Sequence, residues 1–200
     1  MDRLPLAERY ATLLATAGVE RGLIGPREAP RLWERHLLNC LALSSAVPAG
    51  ASVVDLGSGA GLPGLVLAIG RPDVEVTLVE PLLRRATFLE EAVTDLGLVG
   101  VRVRRMRADA LHGRQRFDVV TARALAPLDL LLGWAMPLVA ARGSLLAMKG
   151  NSAADEVAGA AEALRALRCA SPEILQLTGP DGSSTATVVR VAHAEPARLR

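Results

Sequence analysis

The chain predicts an α/β fold: a mostly parallel, seven-stranded sheet covered by helices on both faces and ending in an antiparallel hairpin. Three observations carry this. From Ser52 onward, short apolar runs of strand length alternate with runs of helical period, the pattern of parallel strands joined by crossover helices. The first strand meets its helix through a glycine-rich turn, Asp55-Leu56-Gly57-Ser58-Gly59-Ala60-Gly61-Leu62-Pro63-Gly64. The alternation then fails at the end, where two strand-like runs flank Gly179-Pro180-Asp181-Gly182.

Leu6, Tyr10, Leu13, Leu14 and Ala17 recur at steps of three and four, so Leu4 to Ala17 predicts an amphipathic helix, broken at Gly18. A second helix starts near Pro26, with Pro30 in its opening turns, and places Leu32, Trp33, His36, Leu37, Cys40, Leu41 and Leu43 on one face before Pro48 and Gly50. Both precede the first strand. Residues 1-50 therefore form an N-terminal helical extension, an accessory layer or lid, and residues 51-200 form the α/β domain. Within that domain the expected strands are Ser52–Leu56, Glu75–Val79, Val101–Met106, Phe117–Thr121, Ser144–Met148, Glu173–Leu177 and Thr185–Ala192. The expected helices are Leu62–Ile69, Leu82–Leu96, Leu128–Val139 and Ala153–Leu167.

Two hundred residues suit one domain with a small appendage. Half the chain is hydrophobic but only 2 % is aromatic, so Leu, Val and Ala must build the core. A net charge of +2 is too mild for a protein that coats nucleic acid. Arg84, Arg85, Arg102, Arg104, Arg105 and Arg107 are dense enough to meet phosphate, yet such runs are also ordinary solvated faces, and stacking aromatics are missing beside them. Cys40 and Cys169 are unpaired in pattern and predict free buried thiols in a reducing compartment. Glu8 and Arg9 fall where a signal peptide needs its apolar centre, and no uncharged run reaches the ~18–20 residues that span a bilayer. These features predict a cytoplasmic protein with no membrane contact. His112 and His193 have no metal-ligand spacing with either cysteine, so no metal is expected.

The glycine turn is the chemically informative stretch. Glycines at alternate positions let the backbone approach a ligand closely, and the following helix aims unpaired N–H groups at the same spot. A dinucleotide loop reads G-x-G-x-x-G/A, but Leu62 follows the third glycine here. An acid ahead of Gly57, Gly59 and Gly61 is instead the S-adenosylmethionine form, in which Asp55 can meet the methionine ammonium. Glu80 ends the second strand, where a carboxylate holds ribose hydroxyls, and Ala108-Asp109 follow the third, where Asp109 can accept from an adenine amino group or simply cap a helix. Arg123 follows the fourth strand, at the opening of the crevice, and Lys149 ends the fifth. Both can hold phosphate or base oxygens; the structural alternative is pairing with Asp118 or Asp129. His36, between Arg35 and Asn39, is either a rim residue of its helix or a substrate contact.

Absences narrow the reaction. Methylating a pyrimidine carbon takes a cysteine nucleophile, and neither Cys40 nor Cys169 is expected near the fourth or fifth strand end. Exocyclic amine methylation commonly uses Asn/Asp-Pro-Pro-aromatic, but the position reads Thr121-Ala122-Arg123-Ala124-Leu125-Ala126-Pro127. The lysine-based 2′-O design needs two lysines, and Lys149 is the only one. An acceptor with a free lone pair, such as guanine N7, needs no proton removed, so positioning alone can suffice.

Arg35-His36-Leu37-Leu38-Asn39, Asp55 to Gly64, Ala122-Arg123-Ala124 and Ala147-Met148-Lys149-Gly150 resemble the bacterial ribosomal small-subunit RNA methyltransferase G family, also called glucose-inhibited division protein B. The likeness spans nearly the whole chain; Ala60 stands where many members carry proline. The resemblance implies a Rossmann-like class I S-adenosylmethionine-dependent methyltransferase fold. It further implies N7 methylation of one guanine in the 530 loop of 16S ribosomal RNA, with the cofactor meeting Gly57, Leu62, Ala108, Asp109 and Arg123. The expected partner is small-subunit ribosomal RNA or the 30S particle, and the expected state a monomer. Two other readings stay open at this point: a methyltransferase of a protein or small molecule, and a non-catalytic cofactor-binding partner in ribosome assembly.

Overall fold

The computed structural model describes residues 3–179, 182 and 185–194. Its strands are β1 (Ser52–Leu56), β2 (Glu75–Val79), β3 (Val101–Arg104), β4 (Phe117–Arg123), β5 (Val139–Lys149), β6 (Glu173–Thr178) and β7 (Thr185–Ala192). They form one sheet in the order β3-β2-β1-β4-β5-β7-β6. β1 to β5 pair in parallel, whereas β7 runs antiparallel to β5 and to β6. The expected mixed seven-stranded sheet is therefore present. Of the expected hairpin turn, Pro180 and Asp181 lie outside the described residues.

Strands β1, β2 and β7 have the expected bounds, and the differences elsewhere have local causes. β4 continues two residues past Thr121 because Ala122 and Arg123 still pair with Ala147 and Met148 of β5. The expected single helix Ala153–Leu167 is two, α6 (Ala153–Gly159) and α7 (Ala161–Ala166), parted after Gly159, a residue that weakens a helix interior. The first helix, α1 (Leu4–Leu13), ends in a π-helical turn at Leu14–Gly18. The second predicted helix is a series of short turns: a 3-10 turn at Ala29–Arg31 carrying Pro30, a π-helical stretch at Trp33–Leu38, α2 (Asn39–Ala42), and a 3-10 turn at Leu43–Ala46.

Side-chain alternation sends each strand's residues to two cores. Val53, Val76, Leu78, Val119 and Leu146 pack beneath α1, the segments up to Ala46, α3 (Gly64–Gly70) and α4 (Leu83–Asp95). Val54, Leu56, Val79, Val120, Leu145 and Ala147 pack against α5 (Leu128–Ala135), α6 and α7. Burial on both faces is why the central strands read as continuous apolar runs. The N-terminal residues share the first core, with Tyr10, Leu14 and Leu43 fully buried. Arg71 adds a polar tie at the sheet's lower end, donating to Ser44 O at 2.9 Å, Val47 O at 2.8 Å and Asp73 Oδ1 at 2.7 Å. Among the described residues, no helix is long and apolar enough to cross a membrane.

Candidate functional site

Strand order reverses between β1 and β4, and a crevice opens there at the carboxyl ends of the strands. The glycine turn fills its floor. Gly57, Gly59 and Gly61 have φ of 65°, 58° and 98°, the left-handed region that side chains resist. Their surroundings separate their tasks. A Cβ on Gly61 would meet Leu65 Cδ1 at 2.5 Å and the Tyr10 hydroxyl at 2.9 Å, so this glycine admits the core. On Gly59 it would meet only Gly57 O, at 3.7 Å, because that position faces the open cleft. Over Gly57 lies the side chain of Leu125. The chain's one tyrosine pins the turn from below, Tyr10 Oη donating to Ala60 O at 2.7 Å in a buried setting.

Two buried carboxylates flank the turn. Asp55 is fully buried, its Oδ2 accepting the Gly64 N–H at 3.1 Å and its Oδ1 without a hydrogen-bond partner among the described residues. Burial pushes its pKa up to about 7, against the opposing pull of the Gly64 N–H, Ser58 and Arg123. It underlies the turn and lines none of the cavities around it. Glu80, only 1 % exposed, clasps the turn from β2: Oε2 accepts from Gly59 N and Oε1 from Leu82 N, each at 3.0 Å. Each Glu80 oxygen retains acceptor capacity for a hydroxyl. Beyond it, Gly57, Val79, Ala108, Asp109, Leu125 and Trp134 help line a narrow, mostly apolar cavity of about 120 Å³. Asp109 stands at its rim, 3.5 Å from Arg107 Nε. The open Gly59 face of the turn, a buried carboxylate with spare lone pairs and a narrow, mostly apolar cavity fit the parts of an adenosyl cofactor.

At the end of β4, Arg123 turns toward the N-terminal segments. Nη1 donates to Cys40 Sγ at 3.1 Å and Nη2 to His36 Nδ1. A guanidinium can only donate, so His36 Nδ1 is the acceptor and the imidazole proton sits on Nε2, which donates to Glu28 Oε2 at 3.0 Å. Burial and then the Arg123 charge lower the His36 pKa, outweighing Glu28, so the ring is neutral at neutral pH. Glu28, His36, Arg123, Gly57, Gly59 and Leu62 all face one cleft of about 290 Å³.

Cys40 corrects the expectation that no thiol lies near the fourth strand end. The chain from Trp33 to Ala42 folds across the top of β4, a long-range placement that spacing does not reveal. The thiol is nevertheless no nucleophile: it is fully buried, and burial raises its pKa to about 11 despite Arg123. Cys169 is half-buried rather than buried.

Lys149 ends β5 with Nζ donating to Glu156 Oε2 at 2.6 Å and to Ala126 O at 2.8 Å. Neither Arg123 nor Lys149 pairs with Asp118 or Asp129; Asp118 instead takes the Ser52 N–H and hydroxyl at the other end of β1. Asn39, Arg123, Leu125, Met148, Lys149 and Glu156 are among the residues around a second cavity at this edge, about 560 Å³. Glu28, Glu156, Leu125, Trp134 and Tyr10 also belong to these sites, beyond the residues the sequence predicts. Only Tyr10 carried a signal, as a lone tyrosine on an apolar helical face. His112 Nε2 lies 2.9 Å from Trp134 O, and the described residues include no group of three or more His, Cys, Asp or Glu side chains able to hold a metal.

The chain matches the family model described as rRNA small subunit methyltransferase G over residues 3–182. It is 63 % identical over 198 residues to the ribosomal RNA small subunit methyltransferase G of a Nocardioides species, covering 99 % of this chain and 79 % of that one. To the protein of the same name from Kineococcus radiotolerans it is 59 % identical over 193 residues, covering 96 % and 76 %. Among solved structures it resembles in fold the ribosomal protein L11 methylase of Lactobacillus delbrueckii subsp. bulgaricus, at a TM-score of 0.58 and 15 % identity over 79 % of this chain and 77 % of that one. A TehB-like SAM-dependent methyltransferase from Corynebacterium glutamicum gives 0.58 and 14 % over 84 % and 95 %.

Proposed function

The chain belongs to the rRNA small subunit methyltransferase G family, and from that premise we propose that it transfers a methyl group from S-adenosylmethionine to N7 of a guanine in the 530 loop of small-subunit ribosomal RNA. The single observation that supports the chemistry is adjacency. The cleft above the glycine turn and the larger cavity at the end of β5 both include Arg123 and Ala124 in their walls, so a donor in one can face an acceptor in the other.

When bound, the cofactor supplies an electrophilic sulfonium methyl. Gly59 would give it close backbone approach, Glu80 would accept from the ribose hydroxyls, and Ala108 and Asp109 would bound the adenine slot. Asp55, when ionised, would favour the ammonium end electrostatically from beneath Gly64. Guanine N7 has a lone pair and no proton, so the site needs no general base. The residues agree with this: His36 is committed through both ring nitrogens, and the Cys40 thiol is protonated. Catalysis rests on holding acceptor and methyl in line, with Arg123 fixing the wall between the two cavities.

On this reading the protein works as a cytoplasmic monomer on ribosomal RNA or the small-subunit particle. The test is mass spectrometry of small-subunit RNA from a deletion strain. One 7-methylguanosine is expected to vanish and to return when purified protein and S-adenosylmethionine are added; an unaltered modification profile in the deletion strain refutes the proposal.

A further inference from the structure

We propose that Lys149 and Glu156 form the base-reading pair of the acceptor cavity, Lys149 Nζ donating to guanine O6 and the Glu156 carboxylate accepting from N1–H, so that N7 is left free for the methyl. This rests on the proposed function and adds the atoms that select the base.

The pair lies on the wall of the 560 Å³ cavity, with side chains 9 % and 24 % exposed. Lys149 spends two of its three N–H donors on Glu156 Oε2 and Ala126 O, which leaves one for a ligand. Glu156 Oε2 also accepts from Leu128 N at 3.0 Å, while Oε1 has only the Ser152 hydroxyl at 3.2 Å. Oε1 thus keeps capacity for a further donor. Burial alone would raise the Glu156 pKa, but Lys149, Ser152 and Leu128 N–H outweigh it and hold the group below its usual value. The carboxylate is therefore an acceptor only.

A fixed donor beside a fixed acceptor matches the guanine edge, where O6 accepts and the neighbouring N1–H donates. Adenine in the same pose sets N6–H₂ against the ammonium and the N1 lone pair against the carboxylate, two repulsions at once. Turning adenine over to relieve them moves N7 away. A guanidinium would take O6 and N7 together and block the reaction. Arg123, the other cation on this cavity, has both Nη groups engaged by His36 and Cys40.

The test is methyl transfer to small-subunit RNA carrying either guanine or 2-aminopurine, which keeps N7 but lacks O6 and N1–H, at the target position. The wild-type protein is expected to favour guanine by roughly 10–100-fold in kcat/KM, the discrimination a good paired contact provides. In Lys149→Met and in Glu156→Leu that ratio is expected to fall to within about threefold of unity. Calorimetric affinity for S-adenosylhomocysteine should stay at the wild-type value, and Glu156→Leu carries the test alone if Lys149→Met does not fold. A variant that binds S-adenosylhomocysteine normally and keeps the wild-type guanine preference overturns this pair while leaving the proposed function standing. A wild-type protein that methylates no guanine N7 in the RNA overturns both.

Discussion

Arg123 Nη1 donates to Cys40 Sγ at 3.1 Å, tying the last residue of β4 to a helix 83 residues earlier in the chain. Through the same guanidinium, β4 reaches His36 and, beyond it, Glu28. The N-terminal segments thus form one wall of the cleft whose floor is the glycine turn.

Replacing Arg123 with alanine removes both ties and the positive charge between the two cavities. Methyl transfer should fall by more than tenfold, about 1.4 kcal/mol or more of transition-state stabilisation, with the far-UV circular dichroism spectrum unchanged. Turnover near the wild-type rate would take Arg123 out of the site.

Gly59 and Gly61 should respond to substitution in different ways. Gly59→Val puts a branched side chain into the open cleft, and equilibrium dialysis should show S-adenosylhomocysteine binding lost. Gly61→Ala drives a Cβ into Leu65 and the Tyr10 hydroxyl, so its damage should appear first as a lowered melting temperature. Finding the two effects exchanged would mean that the cleft face of the turn has been misassigned.

Tyr10→Phe leaves the buried Ala60 carbonyl without its donor. The expected cost is about 1–2 kcal/mol, a drop of roughly 2–8 °C in melting temperature for a chain of this size. Weaker S-adenosylhomocysteine binding should accompany it, because Ala60 belongs to the turn. A variant matching wild type in both measurements would show that this bond does not hold the turn.

Asp55 predicts a pH dependence of stability. Its folded pKa is raised to about 7 from an ordinary value near 4, so the folded state holds the proton more tightly. The resulting stabilisation is fully present below pH ~4 and is lost as pH rises through 7. Asp55→Asn keeps an acceptor for the Gly64 N–H and cannot ionise. Relative to wild type, its melting temperature should be most favourable at pH 8, with the difference shifting toward wild type at pH 5. His36 titrates in both proteins and cancels. A difference between the two proteins that is constant across pH would refute the shift.

The composition of the core and the succession of strands and helices along the chain were legible because they depend on local periodicity. Ser52–Leu56, Glu75–Val79 and Thr185–Ala192 alternate or run apolar within five to eight residues and have the same bounds in the structure. The glycine turn was legible for a similar reason: acid, strand end and glycines are contiguous, and backbone sterics restrict what such a run can do. The helix breaks were less so, since one glycine or proline can be absorbed or can divide a helix according to what packs on it.

By itself, then, the sequence determined a parallel sheet with a nucleotide-type turn at its first strand end and Glu80, Asp109, Arg123 and Lys149 at the ends that follow. It did so because these depend on neighbours along the chain. Only the tertiary structure decided which groups meet: that Cys40 lies on Arg123, that Asp55 sits under the turn instead of lining the cleft, that Leu125 covers Gly57, and that Glu156 joins Lys149. Those contacts come from the crossing of distant segments over one sheet edge. Their energies depend on burial and on hydrogen-bond direction, which residue spacing does not encode.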